Sequence, residues 1–419
     1  MSLKNFLIIL LWLFSIVFSI IWTYENPEKI EKIKSNFKKD QLSKVKKVDD
    51  NSKEIVANSF NLEIKKVLDL KEKTAFIINN SSKFDLKNLE IYTQNGNIIK
   101  NLKPKKLDLP DYFTLQRNGG IKTVISIDNK RIALISSSEK DCFFASLVLI
   151  KDKKELFRTA CLPEIAKNND FNGLGSSNIH LNDKILFSLG TPEKHASKNS
   201  ALAQNNSSKF GKILEIDKQE LSEAINNKTK INLSVFSIGH RVPQGLTILN
   251  GKVFNVEHGP KGGDELNLVS KGKNYGWPNV SYGTNYLKDN GGDGVSYKIN
   301  HKKNGFEEPL FAFVPSVGIS SLNTCPQILN NYYKKPCLLA LSLYGNNLRK
   351  GYSVIVFLLN DELNKVNSIE KISLGDLVLR HFVTDEQNRL FEDEKGNIYI
   401  SADKKGIYRI SFTNFRQYK

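Results

Sequence analysis

The sequence predicts an all-β fold, a six-bladed β-propeller, from two observations. A polar turn followed by an apolar run recurs at intervals of roughly 55 to 60 residues, which suits blades of four strands. Six such units stand at residues 89–102, 127–136, 181–190, 249–259, 334–345 and 394–403. Helical periodicity is scarce by comparison, and residues 218–227 are the best candidate for a short helix.

Composition narrows the class of protein. The 419 residues are 40% hydrophobic, which is enough for a real core. The net charge is +17, and lysine supplies far more of the positive charge than arginine. A basic chain can bind nucleic acid, but the sequence has no arginine cluster, no helix-turn-helix pattern and no stripe of aromatic and basic residues. We therefore expect no nucleic-acid partner.

The start of the chain differs from the rest. Residues 6–23 carry no charge, and their length is near the minimum for crossing a bilayer. No small-x-small cleavage site follows, so residues 1–24 are predicted to be an uncleaved membrane anchor, with a cleaved signal segment as the alternative. Residues 25–54 are rich in lysine with scattered acids and are predicted to form a solvated stalk. The propeller is then expected over residues 55–419.

The four cysteines predict two disulfide bonds. A hairpin that turns near Asp152 would place Cys142 opposite Cys161, close enough for a bond. Cys325 and Cys337 flank a short loop beside prolines and form the natural second pair. The alternative is four buried free thiols. No Cys-x-x-Cys spacing is present, which argues against a zinc site.

The stretch 257–267, EHGPKGGDELN, is dense in turn formers and in acids. It follows an apolar run, residues 251–256, that is typical of a strand, and its Gly-Pro and Gly-Gly pairs break any regular element. Glycine lets backbone carbonyls approach a ligand closely, and carbonyl oxygens with a nearby carboxylate suit a hard cation such as calcium. The alternative is a structured loop whose acids are solvated or paired with lysine.

Three blocks in close order resemble one known family. They are GHR-x-PQGL at 239–246, EHGP-x-GGDELN at 257–267 and GKNYGWP-x-VSYG at 272–283. The blocks resemble the glucose/sorbosone dehydrogenase family, the soluble-type quinoprotein sugar dehydrogenases that use pyrroloquinoline quinone (PQQ) and calcium. Weaker similarity runs from about residue 118 to the C-terminus. The resemblance implies the same propeller fold and a site of action outside the cytoplasm.

The resemblance also implies roles for individual residues. Arg241 matches the family arginine that approaches the quinone, and we group it with His240 as the catalytic candidates. The predicted cofactor-binding residues are Arg241, Gln244 and Arg389. The carbonyls of Gly259 and Pro260, helped by the carboxylate of Glu265, are the predicted calcium ligands. Val242 departs from the pattern, since the family usually has asparagine there.

The catalytic end of the pattern matches less well. In the family a histidine, supported by an aspartate, removes the proton of the sugar's anomeric hydroxyl while a hydride passes to the quinone. Here Asn172 and Thr191 stand at or near those places, and neither can accept a proton near pH 7. His180 and His195 are possible relocated bases, although a lone histidine is more often structural.

The cationic residues that hold the PQQ carboxylates in the family are also fewer. Tyr344 stands where the family has a lysine, and of an Arg-x-Arg pair only Arg389 remains.

The function predicted from the sequence is that of a PQQ-dependent sugar dehydrogenase-like protein with calcium. The missing base leaves open whether catalysis survives. The alternative is a non-catalytic calcium-binding propeller of the cell envelope that binds a glycan or a protein. The lysines after the apolar segment favour a cytoplasmic position, but long domains are exported largely regardless of such charges. We expect the domain on the periplasmic side of the inner membrane, held by its anchor, with a secreted form as the alternative.

Overall fold

The computed structural model describes residues 46–47, 52–163, 170–192, 197–285, 297–344 and 352–417. The predicted membrane anchor, residues 25–45 and 48–51 of the predicted stalk, and His195 lie outside these ranges. Within them, no helix has both the length and the apolar character needed to span a membrane.

The chain forms six antiparallel sheets, each ordered from an inner to an outer strand, and this confirms the predicted six-bladed propeller. Blades 1 to 3 are built from β4 (Thr74–Asn79), β5 (Leu89–Thr93), β6 (Asn97–Lys100) and β7 (Lys103–Lys106); β8 (Ile121–Ile127), β9 (Lys130–Glu139), β10 (Cys142–Leu149) and β11 (Lys154–Arg158); and β12 (Asn178–Leu181), β13 (Lys184–Leu189), β14 (Lys212–Asp217) and β15 (Ser234–Ile238).

Blades 4 to 6 repeat the pattern. They are built from β16 (Val242–Leu249), β17 (Lys252–His258), β18 (Asp264–Val269) and β19 (Phe311–Phe313); β20 (Ile319–Thr324), β21 (Cys337–Ser342), β22 (Ser353–Leu359) and β23 (Val366–Ser373); and β24 (Leu379–Phe382), β25 (Ile398–Ala402), β26 (Gly406–Thr413) and β3 (Asn61–Asp69). The helices are α1 (Ser197–Ala201), α2 (Lys218–Asn227) and α3 (Gln327–Tyr333), and α2 coincides with the predicted helix.

The two ends of the described chain close the ring together. Strand β3, from the start of the domain, is the outer partner of β26, with Ile64 opposite Ile410. Two further strands, β1 (Lys46–Lys47) and β2 (Ser52–Val56), both pair with β3. The structure therefore extends blade 6 into the last part of the predicted stalk, because these charged segments find backbone partners along an exposed sheet edge.

The six inner strands, β4, β8, β12, β16, β20 and β24, pack beside one another around a central channel. We call the face at which these strands begin the top face, and the opposite one the bottom face. The loop between β24 and β25 reaches into the channel from the bottom face. There the Asn388 side chain donates to the carbonyl of Asn178, and the Asn388 carbonyl accepts a 3.2 Å bond from Asn323.

Apolar clusters fill the spaces between neighbouring blades, and both predicted disulfides are present. The largest cluster lies between blades 2 and 3, and another joins blades 5 and 6. Cys142 is bonded to Cys161 with their Cα atoms 5.2 Å apart, and Cys325 is bonded to Cys337 at 5.4 Å. The first pair follows from the predicted hairpin, in which β10 and β11 are antiparallel neighbours.

Candidate functional site

Arg241 joins two of the sequence blocks on the top face. It immediately precedes β16, and its guanidinium donates to the carbonyls of Gly259 at 2.6 Å and His258 at 3.2 Å. The guanidinium also lies 5.1 Å from the ring centre of Trp277, a cation–π distance. Only 8% of Arg241 is exposed to solvent. Its charge is therefore engaged within blade 4 and turned away from bulk water.

His240 has a structural role, which corrects its interpretation as a catalytic residue. Its Nδ1 lies 2.9 Å from the Glu257 carboxylate and its Nε2 lies 2.8 Å from the Ser237 hydroxyl. The imidazole stacks on Tyr275 with ring centres 4.7 Å apart and has no solvent exposure. Both nitrogens are satisfied, so no atom of this ring remains for a substrate.

Glu265 and Gly259 line one small pocket together with Arg241, Trp277 and His301, with a cavity volume of about 10 Å³. The Glu265 carboxylate lies 3.4 Å from His301 Nε2 and accepts a 3.3 Å bond from Asn267. Burial raises the pKa of Glu265, although the bond to His301 opposes that rise. Among the residues that the structure describes, no three acidic, histidine or cysteine side chains are grouped so as to hold a metal ion.

Asp264, which the sequence interpretation passed over in favour of Glu265, organises the loops around this pocket. One carboxylate oxygen accepts from the backbone N–H of Gly259 at 3.2 Å. The other accepts from three consecutive N–H groups of blade 5, those of Val317 at 3.0 Å, Gly318 at 2.6 Å and Ile319 at 3.2 Å. Asp264 is 1% exposed, so these backbone donors replace water around its charge.

Thr191, the position expected for the partner of the base, lies next to Arg241, and the turn that carries Asn172, the position expected for the base, lies next to Gly190. Asn172 is exposed on a 3₁₀ turn at residues 170–174, and the Gly190 N–H donates to the carbonyl of Leu174 at 2.9 Å. The backbone N–H of Thr191 donates to the carbonyl of Arg241 at 2.8 Å, and its hydroxyl does so at 3.2 Å. The predicted catalytic positions are thus brought together, but with side chains that cannot remove a proton.

Two other predicted residues lie elsewhere. Arg389 follows the inner strand β24 and is on the bottom face, 71% exposed and paired with Asp385 at 2.7 Å. This corrects its interpretation as a cofactor-binding residue, because the propeller separates it from Arg241. His180 is near the bottom turn of β12, where burial and then the charge of Lys218 lower its pKa to about 4. Gln244 is half-buried at a β-bulge in β16, on the same inner strand that Arg241 precedes.

Three cations that the sequence analysis missed converge on the top face. Lys122 and Arg380 are the second residues of the inner strands β8 and β24, and Lys73 immediately precedes the inner strand β4 that lies between them. We call Lys73, Lys122 and Arg380 the basic cluster. The Arg380 guanidinium makes two 2.5 Å bonds to Asp403. The Lys122 ammonium donates to the neutral carbonyl of Asn118 at 2.8 Å.

The basic cluster is electrostatically unfavourable by itself. Burial, followed by the charges of Arg380 and Lys73, lowers the pKa of Lys122 to about 7. Burial and the charge of Arg380 also lower the pKa of Lys73. In the described ion pairs, Asp403 is bonded to Arg380, and no carboxylate is bonded to Lys73 or Lys122. Such an excess of positive charge at the mouth of a channel is typical of a site for an anion.

Comparison with known proteins agrees with this architecture. The family model described as glucose/sorbosone dehydrogenase matches residues 137–349, about half of the chain. The aldose sugar dehydrogenase YliI of Escherichia coli is 37% identical over 94 residues, which are 21% of this chain and 23% of that protein. The quinoprotein glucose dehydrogenase B of Acinetobacter calcoaceticus is 50% identical over 58 residues, 14% of this chain and 12% of that protein.

Similarity in structure extends further than similarity in sequence. The crystal structure of the soluble aldose sugar dehydrogenase from Escherichia coli in the apo-form has a TM-score of 0.63 and is 20% identical. That comparison covers 84% of this chain and 99% of the other, and at this identity it shows the shared fold. The aligned segments span less than a quarter of the two relatives named above. With the family model covering half of its length, the chain belongs to the glucose/sorbosone dehydrogenase family.

Proposed function

We propose that this chain is a sugar dehydrogenase of the quinoprotein type, which binds PQQ over the mouth of its channel on the top face. The observation that carries the proposal is the basic cluster. Three cations from three consecutive blades meet there, and in the described ion pairs only Arg380 is bonded to a carboxylate, that of Asp403. PQQ has three carboxylates, and cationic side chains are the groups that hold such an anion.

The residues fit this ligand in charge and in position. Arg380 is held in place by Asp403, so a planar donor is preorganised at the mouth. Lys73 and Lys122 supply charges that no described ion pair neutralises. These cations take over a role for which the sequence suggested Arg389. When bound, PQQ supplies a quinone that can accept a hydride from the anomeric carbon of a sugar.

The site has cations suited to binding PQQ, but the positions expected for the base have no side chain that can remove the proton of the sugar hydroxyl. Asn172 and Thr191 contribute no base, and His240 is sealed inside blade 4. Loss of a general base typically lowers a rate by about two to four orders of magnitude. We therefore expect slow oxidation of ordinary aldoses. The same substitutions favour a second candidate function, a propeller without redox chemistry that binds a glycan or an envelope protein.

Calcium at Gly259, Pro260 and Glu265 is not part of this proposal. The carbonyl of Gly259 already accepts from a guanidinium, and the carboxylate of Glu265 faces His301. The donor set present does not fit a hard cation. We also propose that the domain works in an oxidising compartment such as the periplasm, which the two disulfides support.

Titration of PQQ into the purified domain tests the proposal. We expect saturable binding by absorbance or fluorescence quenching, and weaker binding by the Lys73→Met, Lys122→Met double variant. Each lost charge-assisted bond is worth about 1.5–3 kcal/mol, which is roughly tenfold or more in affinity. Lys335→Met is the matched control, because Lys335 is exposed and pairs with Asp361. Absence of saturable binding, or equal binding by the double variant, would refute the proposal.

A further inference from the structure

The surroundings of the Gly259 carbonyl already contain a cation. Calcium takes six to eight oxygen ligands at about 2.3–2.6 Å. Here the Gly259 oxygen has a nitrogen of Arg241 at 2.6 Å, and the same nitrogen lies 3.2 Å from the His258 oxygen. Two carbonyls of this loop, those of His258 and Gly259, therefore share one guanidinium. A divalent ion at this distance would face a like charge in a poorly solvated site.

The nearby carboxylates cannot complete a calcium site without breaking other bonds. Asp264 accepts four backbone N–H groups, and Glu257 is bonded to His240. Glu265 faces His301 and accepts from Asn267. Each carboxylate is almost fully buried, so its present partners substitute for water. Freeing any of them would leave a buried histidine or backbone donor unsatisfied.

Three ring nitrogens of residues that line the pocket are buried without a hydrogen-bond partner among the described residues: Nε1 of Trp277, Nε2 of His258 and Nδ1 of His301. An indole N–H and a guanidinium both donate hydrogen bonds and cannot accept them. The indole also packs under Arg241 as an aromatic face under a cation. None of these nitrogens supplies the oxygen ligands that calcium takes, and the N–H groups of Trp277 and Arg241 favour an oxygen acceptor instead.

We propose that the Arg241 guanidinium takes the place of calcium at the Gly259 carbonyl, and that this chain binds its anionic ligand without calcium at that loop. The identity of the anionic ligand rests on the proposed function. The contact between Arg241 and the Gly259 carbonyl does not depend on it. The guanidinium holds the loop through its bonds to the carbonyls of His258 and Gly259.

Two measurements on the purified full-length protein test the inference. The first is thermal unfolding in calcium and in a calcium chelator, for the native protein and for Arg241→Gln. We expect the same melting temperature for the native protein in both. We expect Arg241→Gln to melt at a lower temperature than the native protein, because the carbonyls of His258 and Gly259 lose their donor, and we expect calcium to restore little of this loss, because the nearby carboxylates keep their partners. Arg409→Gln is the control, since Arg409 pairs with Glu63 on the outer part of blade 6.

The second measurement is PQQ titration of the native protein with calcium and with chelator. Equal affinity within twofold supports the inference. A rise in the native melting temperature with calcium, or PQQ binding that requires calcium, would overturn it. If PQQ does not bind in either condition, the proposed function fails, and the thermal data still decide the question of calcium. If Arg241→Gln does not fold, Arg241→Lys replaces it, and that variant should resemble the native protein in its indifference to calcium.

Discussion

The carboxylate of Asp264 accepts a 2.6 Å hydrogen bond from the backbone nitrogen of Gly318 on the neighbouring blade. The same oxygen also serves the N–H groups of Val317 and Ile319. The other oxygen reaches back to Gly259, whose carbonyl contacts Arg241. One buried carboxylate therefore links the loops of blades 4 and 5 on the top face, where we propose that the cofactor binds.

Replacement of Asp264 should be among the most destabilising single changes on the top face. Asp264→Ala leaves up to four backbone donors without an acceptor, and an unsatisfied buried donor costs about 1–3 kcal/mol. We expect a loss of at least about 3 kcal/mol in the free energy of unfolding by urea titration, with an unchanged m-value. Asp361→Ala is the control, because Asp361 is exposed and, among the residues that the structure describes, its carboxylate pairs with Lys335 alone. A loss below that of the control would contradict the role of Asp264.

Lys212 is a second buried charge that positions the Arg241 segment. Its ammonium donates to the carbonyls of Leu202 at 2.8 Å, Ala203 at 2.8 Å and Phe210 at 2.9 Å, and the residue has no solvent exposure. The Ala203 carbonyl also accepts from Gly239, next to His240 in the sequence. The lysine thereby fixes the loop on which the GHR block rests.

Lys212→Met should loosen this loop more than it destabilises the domain. Three carbonyls lose their donor, while removal of a buried charge recovers part of its desolvation penalty. We expect a net loss of about 1–2 kcal/mol in unfolding free energy and faster amide hydrogen exchange at residues 202–211 and 239–241. Lys335→Met should change neither. Unaltered exchange in the loop, with the global stability reduced, would show that Lys212 does not position it.

Binding of a polyanion at the basic cluster should depend on pH through Lys122. Burial and the charges of Arg380 and Lys73 lower its pKa to about 7 in the free protein. A bound polyanion favours the ammonium and raises that pKa, so binding takes up a proton at neutral and alkaline pH. Affinity for PQQ should be highest below about pH 7 and should fall as the pH rises beyond it.

Lys122→Arg separates this effect from other titrations. Arginine stays charged throughout, so the variant should bind PQQ with little change between about pH 6 and about pH 9. Calorimetry of the native protein in two buffers of different ionisation enthalpy should show proton uptake, and the variant should show less. A native affinity that is flat over this range would mean that Lys122 is not at the bound anion.

The fold could be predicted because its signals are local and repeated. Turn residues and apolar runs set each hairpin, as in the hairpin that pairs Cys142 with Cys161. The boundary at residue 55 was less accurate, because the pairing of β2 with β3 depends on backbone partners outside the segment. Charged residues such as those of β2 carry no periodic signal, although their backbone can still complete a sheet edge.

The sequence predicts only the part of the site whose residues lie close together along the chain. The GHR and EHGP blocks lie close in sequence and meet through Arg241 and Gly259. The basic cluster joins residues 73, 122 and 380, which only the closed ring of inner strands brings together. The only local feature that these three residues share is a position at or next to the start of an inner strand. Because the chain has 61 lysines and arginines, a cation at such a position does not stand out in the sequence. Arg389 was placed with the cofactor because sequence alone does not say which face a loop occupies.

The last prediction concerns the missing base. Asn172 is exposed on the top face, and Thr191 is fully buried beside the Arg241 carbonyl. Asn172→His adds a group whose pKa near 6.5 suits proton removal at neutral pH. If the cofactor binds nearby, this variant should raise sugar-dependent dye reduction with added PQQ by roughly tenfold to a hundredfold, part of what a general base contributes.

Thr191→Asp completes the pair and makes the test specific. Alone, the new carboxylate is buried without a partner and should destabilise the domain by a few kcal/mol, about what an unpaired buried charge costs. Together with Asn172→His it gains a histidine to bond, so the double variant should recover stability and exceed either single variant in turnover. This non-additivity is the signature of a working His-Asp pair. Robust turnover by the native protein, abolished by His195→Ala, would instead show that the base has moved to His195.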